Sequence, residues 1–212
     1  MITASSFAAF GNAAVMLPIA VVAAGLLAWQ GHRRCALAYL VAAGVGMALV
    51  ALSKFLFFGW GVGIRSIDLT CASGHTFLAT AIWPVLFFTA WPSRRSRAGG
   101  FALGLGLAAV VGITRVSTDD HSVSEVVAGW LLGGAVLAVF VRHASARAGS
   151  TLLRYRQRLG VAALVAGMLA APTLQAQRLP SEHWLQRAAI ALSGNPQPMT
   201  RSIWHAAHRP AP

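Results

Sequence analysis

Six apolar stretches, most of them near the twenty residues that cross a bilayer as helix, constrain this chain more than any other feature. They cover about residues 13–29, 35–58, 75–91, 101–114, 122–141 and 159–172. The fourth and sixth are short. Polar segments separate them, and the chain is 57% hydrophobic but only 10% charged. A soluble domain carries about 25% charged residues. The expectation is therefore an all-α, polytopic transmembrane helical bundle of about six spans, formed by residues 1–172. A polar, proline-containing tail, 173–212, follows, with an amphipathic helix around 182–192. Glycines 25, 44, 46, 104, 106, 133 and 134 read as close-packing positions between membrane helices.

The net charge of +12 would suit nucleic acid, but its placement does not. The arginines fall in short segments between apolar runs, and no basic face interleaved with aromatics is present. The segments after spans one, three and five hold two, three and five arginines, so these belong in the cytoplasm. The segments after spans two and four, with the N-terminus and the tail, then face outward. In a Gram-negative cell this is the periplasmic side of the inner membrane. Residues 1–12 carry no Lys or Arg, so the first apolar run reads as a retained span rather than a signal peptide. Cys35 and Cys71 fall at opposite ends of one span, which argues against a disulfide.

Chemistry gathers in the outward segments. Residues 114–129 contain Arg115, Asp119, Asp120, His121 and Glu125, including three of the five acidic residues. If the fifth helix begins at Ser122, His121 and Glu125 share a face one turn apart, with Arg115 on the loop before them. A carboxylate touching an imidazole next to a cation is an outline of acid–base or nucleophilic catalysis. The other outward segment ends in Ser73-Gly74-His75 at the start of the third span. There, a helix N-terminus suits an oxyanion and an imidazole suits proton donation. Lys54, the only lysine, sits one turn from the outward end of the second span, and Arg65 follows in a Gly-rich loop. Three cations with neutral donors point to phosphate. No carboxylate cluster suited to magnesium accompanies them. Asp119 and Asp120 read as rim residues, and neither a metal nor a cofactor is expected.

The set resembles the type-2 phosphatidic acid phosphatase family, whose superfamily also includes bacterial non-specific acid phosphatases and vanadium haloperoxidases. The family's third motif, serine-arginine, five residues, histidine, three residues, aspartate, is matched by Thr114-Arg115, His121 and Glu125 with both intervals kept. Its proline-serine-glycine-histidine motif is matched by Ala72-Ser73-Gly74-His75. Its first motif, a lysine and an arginine-proline with six residues between them, is matched by Lys54 and Arg65, here with ten residues between them and Ser66 following. The resemblance covers residues 54–141. It implies that His121 is the nucleophile that forms a phosphohistidine, Glu125 its orienting carboxylate, and His75 the general acid. Arg115, Ser73, Gly74, Lys54 and Arg65 would bind phosphoryl oxygens, without metal. The implied activity is hydrolysis of a lipid phosphate or diphosphate at the outer face. Phosphotransfer to a second lipid and non-catalytic anion binding are the alternatives. The residues do not identify the lipid or the role of the tail.

Overall fold

The structure, a computed structural model, describes residues 9–91, 94–144 and 181–206. Five long helices form the body: α1 (Ala13–Trp29), α2 (Arg33–Trp60), α3 (Gly74–Ala90), α4 (Arg94–Ser117) and α5 (Val123–His143). Two shorter ones follow in the tail, α6 (Ser181–Ser193) and α7 (Arg201–Ala206). No strand occurs among the described residues. Helices α2, α4 and α5 are long and apolar enough to cross a membrane, and α1 and α3 are shorter apolar helices. The sixth stretch, 159–172, lies outside the described residues.

Local chemistry sets the helix ends. Asn12 caps α1, its side-chain oxygen accepting from the Ala14 amide at 2.8 Å. Helix α2 ends at Gly61, whose φ of +64° is left-handed, with the Gly61 amide bonded to Phe57 O. Ser73 caps α3, and Ser122 with Glu125 forms a capping box on α5.

Helix α3 is apolar all round and occupies the centre. Trp83, Phe77, Ile82, Val85 and Leu86 are each at most 1% exposed. Helices α1, α4 and α5 pack against it. Gly104 lets the α4 backbone meet Pro84: a Cβ there would lie 2.5 Å from Pro84 Cα. Gly133 brings α5 equally close to Thr80, and Gly46 brings α2 onto the Phe77 ring. Gly25, Gly44, Gly106 and Gly134 have nothing within 4 Å of a built Cβ. The packing role expected of seven glycines thus holds for three of them. A small residue on the outer face of a bundle helix has no neighbour to admit.

The fourth helix is also longer than its apolar core suggests. It begins at Arg94, so the basic segment expected as a loop forms its first turns. Arg97 makes this possible: its Nε donates to Trp91 O at 3.1 Å and its guanidinium lies 5.5 Å from the Phe88 ring centroid. At the other end the helix runs to Ser117, so Arg115 stands in its last turn rather than on a loop. Asp119, at φ +56°, then reverses the chain.

The helices alternate in direction, which defines two ends. Gln30 Nε2 reaches Thr89 O, and Cys35 Sγ approaches Phe140 O at 3.9 Å, so the arginine-rich segments share one end. At the other end, Ser73 N donates to Glu125 O at 3.0 Å, joining the start of α3 to the start of α5. The tail lies at this second end. Its helix α6 packs on α2. Trp204 enters a small apolar cluster with Phe57, Phe58, Cys71 and Ala189.

Candidate active site

Glu125 is the centre of this second end of the bundle. It is the third residue of α5, and the capping box turns its side chain back over the helix start. It is 1% exposed. A buried carboxylate needs donors on both oxygens. Oε1 accepts from the Thr70 amide at 3.2 Å, the Cys71 amide at 3.4 Å and the Thr70 hydroxyl. Oε2 takes the Ser122 amide at 3.4 Å and lies 2.6 Å from His121 Nδ1. Because a carboxylate can only accept, Nδ1 must carry a proton. That leaves Nε2 with a lone pair. The expected helical face for His121 and Glu125 is therefore realised as a direct contact.

The other expected residues distribute as follows. Arg115 Nη1 lies 3.1 Å from Asp120 Oδ2, which places the rim carboxylate against the cation. His75, the second residue of α3, is half-buried. Arg115, Lys54, His121 and Asp120 are all close enough to act on it electrostatically. The turn preceding α1 covers its backbone, since a Cβ on Gly11 would lie 2.7 Å from His75 O. Ser73 is fully buried. Its hydroxyl oxygen accepts from the Thr76 hydroxyl at 2.9 Å and the Thr76 amide at 3.5 Å, so it serves the α3 cap. Gly74 opens α3, where backbone N–H groups have no intrahelical acceptor. Lys54 Nζ lies 3.5 Å from Glu182 of α6. Arg65 is placed differently from the expectation. It is exposed in a short 3₁₀ turn, with its guanidinium 4.5 Å from the Trp204 ring centroid.

Between α2 and α3, Ile64 and Leu69 exchange backbone hydrogen bonds of 2.7 and 3.0 Å, forming a tight loop. The Ser122 and Ser124 hydroxyls both donate to Asp68 O, tying this loop to the start of α5. The loop also holds the Cys71 thiol, whose pKa burial and then the Glu125 charge raise to about 11.

The PAP2 superfamily profile matches residues 35–148, more than half of the chain. The chain belongs to the PAP2 superfamily. The match includes α2 to α5 and with them Lys54, Ser73, His75, Arg115, His121 and Glu125. The family's phosphatases share a helical fold. A relative from Klebsiella pneumoniae, named "Uncharacterized 22.5 kDa protein in cps region", is 39% identical over 143 residues. The aligned part covers 62% of this chain and 65% of the relative. No solved structure matches the chain significantly.

Sequence reasoning missed four groups around the PAP2 site. Thr70 gives Glu125 two donors. Glu182 faces Lys54. Arg201 in α7 places Nη2 2.9 Å from Glu125 Oε1 and 3.8 Å from Asp68 Oδ2. Next to it, His205 Nε2 lies 3.1 Å from Asp68 Oδ1. Neither spacing nor periodicity marks these residues, because their partners are distant in the chain.

Proposed function

We propose that this PAP2 protein is an integral inner-membrane phosphatase that removes phosphate from a lipid phosphate or diphosphate at the periplasmic face, through a phosphohistidine. The observation that carries the reading is the 2.6 Å contact from Glu125 Oε2 to His121 Nδ1, which leaves Nε2 as a nucleophile. In the first step Nε2 attacks phosphorus, the P–O bond to the lipid breaks, and His75 gives its proton to the leaving oxygen. In the second, water attacks phosphorus, the P–N bond breaks, and His75 takes a proton from the water. Inorganic phosphate is released. Glu125 balances the charge that develops on the imidazole in the first step. Arg115, Lys54 and the amide at the start of α3 stabilise the equatorial oxygens, so protein cations do the work of a metal. Arginines at the opposite end of the bundle support the periplasmic orientation. A site at the end of membrane helices supports a lipid substrate, since the leaving group's chains stay in the bilayer. Undecaprenyl diphosphate, phosphatidic acid, phosphatidylglycerol phosphate and lipid A are the candidates.

The test is phosphate release from these four lipids by detergent-purified protein in EDTA, alongside His121→Ala. Release by wild type and its loss in the variant is the expected result. Equal release by both would sink the mechanism.

A further inference from the structure

Glu125 has one partner from outside the family region. The superfamily match ends at residue 148, and Arg201 lies well beyond it. Its Nη2 is 2.9 Å from Oε1, with N–H directions outside hydrogen-bond geometry, so the contact is one of charge. A buried carboxylate without a compensating cation is costly. His121 supplies one only when it is protonated or phosphorylated.

The segment bearing Arg201 is firmly docked. Helix α2 ends with carbonyls that have no acceptor role inside the helix, and the tail fills this gap. Met199 N donates to Phe58 O at 2.9 Å, Asn195 Nδ2 donates to Gly59 O, and Trp204 Nε1 donates to Gly61 O at 2.9 Å. Gly63 is required for the fit, because a Cβ there would lie 2.8 Å from the Trp204 ring. Arg65 stacks on the same indole. The cation aligned with the first motif thus holds the tail, while the tail brings a different cation to the catalytic carboxylate.

We propose that Arg201 is a positioning residue of the active centre: its charge balances buried Glu125 at Oε1 and keeps Oε2 turned to His121 Nδ1. The proposal rests on the phosphatase reading of His121. Arg201 does not touch substrate, and it acts through Glu125. Its loss therefore reduces kcat and leaves KM nearly unchanged.

The experiment uses full-length protein in detergent with phosphatidic acid, and orthovanadate as a mimic of the phosphoryl group in transfer. Arg201→Gln is expected to lower kcat at least about tenfold with KM within about threefold, and Arg201→Lys to restore most of it. His205→Ala, which breaks the neighbouring contact to Asp68 but not that to Glu125, should keep kcat within about threefold. A matching loss in His205→Ala would make Arg201 merely part of the tail's attachment and overturn the proposal. So would Arg201→Gln with wild-type kcat while His121→Ala is inactive, a result that leaves the phosphatase reading intact. If His121→Ala matches wild type, or no variant releases phosphate, that reading fails and orthovanadate affinity decides. Weaker binding by Arg201→Gln that Arg201→Lys restores supports the positioning role, and equal binding overturns it.

Discussion

Replacing Glu125 with Gln separates the chemistry of the dyad from its packing. Glutamine has one acceptor where the carboxylate has two. On the Oε1 side wait the Thr70 amide, the Thr70 hydroxyl, the Cys71 amide and the Arg201 cation. On the Oε2 side are His121 Nδ1 and the Ser122 amide. Setting an NH₂ group against the first side leaves buried donors unpaired, at about 1–3 kcal/mol each. The amide oxygen therefore takes the Oε1 position and the NH₂ faces Nδ1. Nδ1 must then accept, and the imidazole proton moves to Nε2, where it removes the nucleophilic lone pair. Reversing that tautomer costs about 2–3 kcal/mol from the unpaired donors, and losing the charge-assisted bond to the proposed phosphohistidine cation adds about 2 kcal/mol. The total of about 4–5 kcal/mol is a loss of about 10³-fold in kcat. Stability falls less, because every Oε1 donor keeps its acceptor and half-exposed Arg201 can turn to water once the carboxylate charge is gone, while the Ser122 amide, which loses Oε2, costs about 1–3 kcal/mol. The assay is rapid quench with radiolabelled phosphatidic acid, reading alkali-stable label on the protein, beside thermal melting in detergent. A folded Gln variant keeping more than about a tenth of wild-type kcat would refute the assigned tautomer.

Two further outcomes are expected. A Cβ on Gly129 would lie 2.7 Å from Ser73 O and 3.2 Å from Phe77 N, both backbone atoms, so Gly129→Ala must part α3 from α5 at a cost of about 1–3 kcal/mol. Its melting temperature and kcat should both fall, whereas Gly134→Ala, facing open space, should melt no lower than wild type. Cys71, with its pKa raised to about 11, stays a thiol at pH 8 in the folded protein and ionises more readily once unfolded. In a Cys35→Ala background, maleimide should label it slowly at pH 8 until SDS is added. Fast labelling of the folded protein would contradict its burial.

The spans were legible because membrane crossing imposes a length and a polarity that single stretches carry. The first apolar stretch and α1 share both bounds, 13–29. His121 and Glu125 were legible for a similar reason: four residues at a helix start bring two side chains together whatever surrounds them. Arg115 and Arg97 show where this reasoning stops. Both lie in α4, whose ends depend on Asp119's left-handed turn and on contacts to Trp91 and Phe88. Arg65 and Arg201 show a second limit. Which of two arginines reaches a carboxylate depended on Trp204 docking against the end of α2, and local pattern holds no trace of that.

The bond from Ser73 N to Glu125 O has a mechanical consequence. With the Gly129 contact it welds α3 and α5 into one jaw, which cannot open without breaking the dyad's own support. Lys54 instead meets the tail, its Nζ 3.5 Å from the exposed Glu182 of α6. The two site imidazoles and the lysine are thus held by differently anchored pieces of the chain.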